Sequence, residues 1–436
     1  MTSLLFFLLL QDVESLLQSG EQKGSKGDLE GAVSDFSKAI ESDPRSVRAY
    51  LGRGKARRAR KEFTDAAADC AKAIELDPKS TRAFWGRGLV RHDIGDWEGA
   101  IADFTRLVEL APKDGDAYYS RGRSRRAKGD LKGAVEDHTR AIELNPKDAL
   151  AHLARGLAKY DLKDLEGAGS DYTKAIELDP KSALAYGNRG VCRHDRKDYD
   201  GAIADFTQAI ELKPDYRGAY FNRGHSRTEK GDYEGAVADF TRAIEFSPTD
   251  AGGYLSRARA RRMEKEYDLA VRDYDEALRR DSKSFDAFFG RGLAKYDLKD
   301  TAGALADFTE AVAIKPDHAT SHFHRGLARQ DLKEMQGAIE DYTKALQLQP
   351  RYPSAQFNRG LARYGLKDYA GAESDFGRVL ESNPADADAY YNRALARHAS
   401  GNRQGAVADL EKALGVATKD WTYRAKAEQA LASLKR

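Results

Sequence analysis

Small and large apolar residues recur along this chain at the spacing of one helix face. Ala202, Phe206, Ala209 and Ile210 stand at i, i+4, i+7 and i+8, which places four side chains on one stripe of an α-helix. The quartet returns thirty-four residues later as Ala236, Phe240, Ala243 and Ile244. Between quartets lies a second helical stretch that carries a glycine or alanine in its middle. Each pair of stretches ends near a proline, at Pro44, Pro78, Pro112, Pro146, Pro180, Pro214, Pro248, Pro316, Pro350 and Pro384. Ten of the eleven prolines keep this register, and only Pro353 departs from it. The pattern predicts helix, short turn, helix and break, repeated as a stack in which each hairpin buries its apolar stripe against its neighbours.

With the proline numbered 32, twelve repeats span 13–420, preceded by an apolar lead-in at 1–12 and followed by a capping helix at 421–436. Position 8 is glycine in ten repeats and alanine at Ala258 and Ala394. Glycine inside a helix costs about 1 kcal/mol relative to alanine, so the expected compensation is close approach of the second helix. Position 20 is alanine in all twelve, position 24 is aromatic in nine, and position 28 is always Ile, Leu or Val. Position 15 is glycine or lysine and suits the end of the first helix. Position 16 is acidic in eleven repeats and predicts an N-cap for the second. Two repeats are irregular. The eighth has Ser282 where proline is expected, so its second helix is expected to run on. After the twelfth, Tyr423, Ala427, Leu431 and Leu434 form one apolar side of a cap.

These features resemble the tetratricopeptide repeat family: the small residue at position 8, Ala at 20, the aromatic at 24, Ala at 27 and Pro at 32. A typical stretch runs from Ala219 to Pro248, AYFNRGHSRTEKGDYEGAVADFTRAIEFSP. The resemblance implies an all-α, right-handed α-α superhelical solenoid of helix-turn-helix repeats, with first helices lining a concave groove. Its implied role is a non-enzymatic scaffold that binds peptide or protein segments.

The chain departs from the family where position 7 is arginine in eleven repeats, position 11 is basic in all twelve and position 23 is aspartate in all twelve. Arg189 with Asp205 and Arg223 with Asp239 are examples. An acid accompanies the base in every repeat, so the expected arrangement is a structural ladder, across the hairpin or to the neighbouring repeat. The competing arrangement is a basic track for an anionic polymer.

Positions 2, 5, 9 and 12 form a stripe that varies from repeat to repeat. In the family this stripe faces the groove. Its basic section is expected at Lys55, Arg58, Arg123 and Arg126, with Arg259 and Arg262 further on. Its apolar section is expected at Phe289, Leu293 and Tyr296, then Phe323 and Leu327, then Phe357, Leu361 and Tyr364. Leu157 and Tyr160 continue it in the fifth repeat. Some family members hold a terminal carboxylate with lysine at position 5 and asparagine at position 9. No repeat here has either, so that clamp is not expected.

Charge changes the picture little. Lys plus Arg is 72 and Asp plus Glu is 70, which gives no overall footprint for nucleic acid or an acidic membrane. RNA binding through the basic positions is therefore the second functional expectation. Cys70 and Cys192 fall at packing positions and read as buried free thiols. No phosphate loop, zinc-protease or serine-nucleophile motif is present. His318 and His322 stand at i, i+4, but one falls in a turn and the other at a packing position. No cofactor or metal is expected. The apolar run Leu4–Leu10 is too short to span a bilayer. It reads as a cover for the end of the stack, and the cytoplasm is the expected compartment. A signal remnant, with a secreted or periplasmic location, is the alternative.

Overall fold

The computed structural model describes residues 2–436, with side chains from residue 12 onward. Among the described residues it contains twenty-five α-helices and no strand. The chain forms two compact units, Met1–Asn222 and Arg223–Arg436. Each is built of helical hairpins in which a helix packs on the one before it and the one after it. The first helix, Thr2–Ser25, includes the Leu4–Leu10 run. The side chains of that run lie outside the described residues, and the expectations attached to them with it. No helix among the described residues is long and apolar enough to cross a membrane.

The two helices of a hairpin are joined by one left-handed residue, always at position 15. Five of these are glycines, with φ between 80° and 94°, and seven are lysines, with φ between 64° and 68°. The next residue caps the second helix. Asp198, for example, accepts the Gly201 N–H at 3.0 Å. Glu62, Glu266 and Glu334 stand at the same position without a capping bond, because the extra methylene carries the carboxylate past the orphan N–H groups.

Proline ends the second helix by forcing the residue before it out of the helical region. Lys213, before Pro214, has φ −139° and ψ 88°. The eighth repeat corrects the expectation that a missing proline lets the helix continue. The helix Tyr267–Arg280 stops in register, and Asp281 has φ −132° and ψ 90°. The two turn bonds that accompany the proline elsewhere, as at Asp179 and Ser182, are kept here without it. The Asp281 carboxylate accepts the Lys283 N–H at 3.2 Å, and Ser284 caps the next helix through the Ala287 N–H. The out-of-register Pro353 occupies the first turn of the helix Pro353–Gly365, where its missing N–H costs nothing.

The core of each hairpin is an alanine ridge against one ring. Ala202, Phe206 and Ala209 are completely buried, and so are their equivalents Ala304, Phe308 and Ala311. A full ring burial contributes about 1.5–3 kcal/mol. The position-8 glycine makes the room. A Cβ on Gly190 would stand 2.8 Å from the Phe206 ring, and one on Gly292 would stand 2.7 Å from Phe308. In the eighth repeat, where Ala258 replaces this glycine, the Tyr274 ring lies instead against Gly290 of the next repeat. Cys70 and Cys192 are both buried free thiols. The last helix, Arg424–Lys435, packs Ala427, Leu431 and Leu434 on Leu410 and Ala413.

The fourth repeat puts His138 in the ring position. It is completely buried, tilted against Tyr119 at 5.6 Å between ring centres, and neither ring nitrogen has a hydrogen-bond partner among the described residues. Burial, helped by Arg126, Arg123 and Arg155, pushes its pKa down to about 4. His324 is likewise pushed down to about 4, first by burial and then by Arg262.

Two outcomes are expected. Gly292→Ala should destabilise the second unit by about 1–3 kcal/mol, the range for overpacking, because Phe308 is backed by His324 at 5.6 Å; the urea midpoint checks it. A histidine whose folded pKa is depressed stabilises fully above its unfolded pKa and loses that contribution as pH falls toward the folded value. Acidification from pH 7 to about 4 should therefore cost up to about 3 kcal/mol at His138. His138→Phe should shrink the drop in melting temperature between those pH values.

Candidate functional site

A buried charged ladder runs beneath the first-helix face. Asp205 is 3 % exposed and accepts from two cations of the opposing helix. The Arg189 guanidinium donates Nη2 to Oδ1 at 2.7 Å and Nε to Oδ2 at 2.9 Å. Arg193 donates to the second oxygen at 2.8 Å. The same fork joins Arg223 to Asp239 at 2.6 and 2.9 Å, with Arg227 at 2.8 Å. Lysine takes the position-11 place at Lys159 and Lys295. Burial raises the Asp171 pKa, but Arg155 and Lys159 outweigh it and hold the carboxyl below its ordinary value.

The arginine also reaches backward. Where the preceding repeat has a polar side chain at position 25, its free Nη1 can donate there, which Ala71 and Gly377 do not allow for Arg87 and Arg393. Arg155 meets Thr139 at 3.3 Å, Arg189 meets Thr173 at 3.3 Å and Arg257 meets Thr241 at 3.1 Å. Arg291 finds Asp275 there instead. An aromatic at position 4 lies beside the guanidinium, as Tyr186 does at 5.5 Å from Arg189. One arginine thus ties its own hairpin together and the hairpin to its predecessor.

Above the ladder lies the variable stripe. Phe289, Phe323 and Phe357 each pack on the core ring of their own repeat, at 5.8, 5.9 and 5.4 Å between centres. Leu293 and Tyr296 join the Phe308 core, Leu327 the Tyr342 core, and Leu361 and Tyr364 the Phe376 core. Leu157 and Tyr160 lie on the Tyr172 core. Phe323 is buried, and the other apolar members keep part of their surface open to solvent.

The basic members are mostly paired. Arg58 meets Asp93 at 2.6 Å and Arg126 meets Asp161 at 2.6 Å. Arg123 lies against the Tyr119 ring at 5.9 Å and 3.4 Å from His92 Nε2. Arg259 meets Asp286 and Arg262 meets Asp297, both at 2.8 Å. Lys55 is exposed and has no ion pair among the described residues.

Two sets of partners escaped the sequence reading. One is the position-25 side chain described above. The other is an aspartate at position 13 that receives position 12 of the preceding repeat. Asp195 accepts the Tyr160 hydroxyl at 2.5 Å and Asp331 accepts Tyr296 at 2.6 Å. Burial, then the aspartate, pushes both phenols up to about 12. The signal was present as covariation at an offset of thirty-five: arginine or tyrosine at 58, 126, 160, 262 and 296, aspartate at 93, 161, 195, 297 and 331. Among the described residues no group of three or more His, Cys, Asp or Glu is arranged to hold a metal. His318 instead caps its helix, and His322 bonds the Pro316 carbonyl at 2.9 Å.

Comparison with family models accounts for almost the whole array. One model described as tetratricopeptide repeat matches residues 20–81, 72–115, 255–319 and 357–422. Others match 183–216, 149–182 and 218–250, and a TPR repeat model matches 122–163 and 331–367. The chain belongs to the tetratricopeptide repeat family. Tetratricopeptide repeats mediate protein–protein interactions in general. Two of the matched segments, 149–182 and 183–216, coincide with the fifth and sixth repeats as numbered from the proline. No curated protein matches the chain. Similar solved structures include the APC/C hetero-tetramer Cut9–Hcn1, at 14 % identity over 99 % of this chain and 98 % of that one, TM-score 0.46. YrrB, a TPR protein with an unusual peptide-binding site, is 28 % identical over 42 % of this chain and 95 % of its own, TM-score 0.37. A tetratricopeptide repeat protein from Parabacteroides merdae ATCC 43184 is 20 % identical over 57 % of this chain and 98 % of its own, TM-score 0.43.

Removing one aspartate of the ladder tests how far water shares its charge. Asp205→Ala leaves the Arg189 guanidinium without its carboxylate and Arg193 with only Asp198, at 3.7 Å, and should cost about 3–5 kcal/mol, measured by urea unfolding. A loss below about 1 kcal/mol, the range of exposed pairs, would show that solvent already screens the ladder.

Proposed function

We propose that the protein is a non-enzymatic scaffold that binds protein or peptide segments on the first-helix face of its repeats. Membership of the tetratricopeptide repeat family supports an interaction role, since such scaffolds are generally non-catalytic. The observation that carries the finer reading is the apolar stripe of the ninth to eleventh repeats. Phe289, Leu293 and Tyr296, Phe323 and Leu327, and Phe357, Leu361 and Tyr364 are held by their own cores. All but Phe323 keep surface open to solvent. Such patches on a protein surface mark contact sites, and side chains already fixed by packing lose little entropy when a partner covers them. Leu157 and Tyr160 extend the same chemistry to the fifth repeat.

The second reading is binding of RNA through Lys55, Arg58, Arg123 and Arg126. The pairing of Arg58 with Asp93 and of Arg126 with Asp161 weighs against it, because a phosphate would have to displace a carboxylate already in place.

The test is affinity capture by the intact chain, repeated with Leu293→Glu, Leu327→Glu and Leu361→Glu together. These residues are half-open, so circular dichroism should show an unchanged helix content. Captured proteins should fall by at least about tenfold. Equal capture by the variant would remove the apolar face as the binding site. Capture of RNA with a steep fall in affinity as salt rises would favour the second reading.

A further inference from the structure

Position 21 is Val, Ile or Leu in nine repeats, Ala67 in the second, Glu373 in the eleventh and Gly169 in the fifth. At Gly169 the place that those side chains take is open. A Cβ there would stand 3.8 Å from the Cys192 Sγ and 4.0 Å from the Arg196 Nη1, which is ordinary contact with no clash. A cavity of about 390 Å³, open to solvent, begins at this glycine. It lies between the helices Leu165–Leu178 and Ala183–Asp195, with Arg196 just past the end of the second.

The eleventh repeat shows what such a place accepts. Glu373 accepts the Arg397 Nε there at 2.8 Å. Arg397 stands at position 11 of the following repeat, and its counterpart beside Gly169 is Arg193. Both give Nη1 to the ladder aspartate at 2.8 Å. The Arg193 Nε makes no hydrogen bond among the described residues. Asp198, where the twelfth repeat has Asn402, lies 3.7 Å from it, beyond hydrogen-bond distance. The donor that the eleventh repeat satisfies with its own carboxylate therefore faces a cavity in the fifth.

The charges around the cavity leave room for one anion. Lys174, Arg189, Arg193 and Arg196 line it, against Glu177. Lys174 is held by Glu177 at 2.8 Å, and Arg189 and Arg193 share Asp205. Arg196 is exposed and forms no ion pair among the described residues. One unmatched guanidinium beside an unused N–H suits a single carboxylate better than a dianionic phosphate.

We propose that the Gly169 cavity binds the carboxylate of a glutamate-like ligand. The Arg193 Nε donates to it as Arg397 does to Glu373, and Arg196 supplies the balancing charge. The source is a free small acid or an acidic side chain of a partner segment. The lining side chains of the first helix stand at positions 7, 10, 11 and 14, apart from the stripe at 2, 5, 9 and 12. The inference thus goes beyond the scaffold reading and fails separately from it.

The experiment is ligand-observed saturation-transfer NMR with the full chain at fixed ionic strength. The probes are propionate and the end-blocked tripeptides Ala-Glu-Ala and Ala-Gln-Ala. The glutamate peptide should bind saturably, and the glutamine peptide at least about tenfold more weakly. Arg196→Ala should weaken the glutamate peptide by a similar factor. Gly169→Glu fills the place with the chain's own carboxylate and should abolish binding, with helix content unchanged by circular dichroism. Propionate as tight as the glutamate peptide would support a free acid as the source, and a peptide at least about tenfold tighter would support a partner side chain. Equal affinity for the two peptides, or unchanged binding in Arg196→Ala or Gly169→Glu, would overturn the proposal. So would tighter binding of inorganic phosphate than of propionate, or no saturable binding up to about 20 mM.

Discussion

An aspartate buried among alanines cannot share its charge with water, and the fold is organised around making that tolerable. Eleven of the twelve position-23 carboxylates take a two-pronged bond from one arginine and a third bond from the cation one turn further along; in the first repeat Ser19 and Lys23 hold Asp35 instead. Such a cluster is weak evidence for stability, since desolvating three charges is expensive. Its value lies in direction. A planar fork closes at one orientation only, so it fixes how far the first helix is rotated and slid against the second. The backward bond from the same guanidinium to the preceding hairpin then passes that setting from repeat to repeat. The alanine ridge and the ring in its glycine slot supply the apolar contact, which by itself would permit sliding.

Much of this was legible because twelve copies of one solution lie side by side. The alanine at position 20, the ring at 24 and the acid–base pair at 23, 7 and 11 never change together, and repetition makes the constraint visible. What stayed hidden depended on relations between copies. The bond from Tyr160 to Asp195 joins residues that neither periodicity nor helix faces bring together; only an offset one longer than the repeat reveals it. The end of the eighth repeat's second helix goes against the expectation because the helix stops in register without proline, in a turn that keeps the Asp281 and Ser284 bonds which proline-bearing repeats share.

The same division of labour bears on the exposed stripe. The ladder and core are nearly invariant, so positions 5, 9 and 12 are free to differ without disturbing the stack. They differ in two ways. In the ninth to eleventh repeats they carry rings and leucines anchored on the core below. In the second, fourth and eighth they carry cations, most of which are neutralised by an acid of the following repeat. The face thus combines a fixed apolar relief with cations of which Lys55 alone in this set has neither an ion pair nor a ring contact among the described residues.

The left-handed lysines at the hairpin turns store backbone strain. Each holds a backbone shape that a side chain resists by roughly 1–2 kcal/mol, and there are seven of them. Together that strain is comparable to the whole folding free energy of a small domain, about 5–15 kcal/mol. The five glycine turns elsewhere in the same chain show that relief is one substitution away at each site. Glycine at any of the seven would relieve the strain and at the same time loosen the unfolded chain, so the turns trade local strain against disorder before folding.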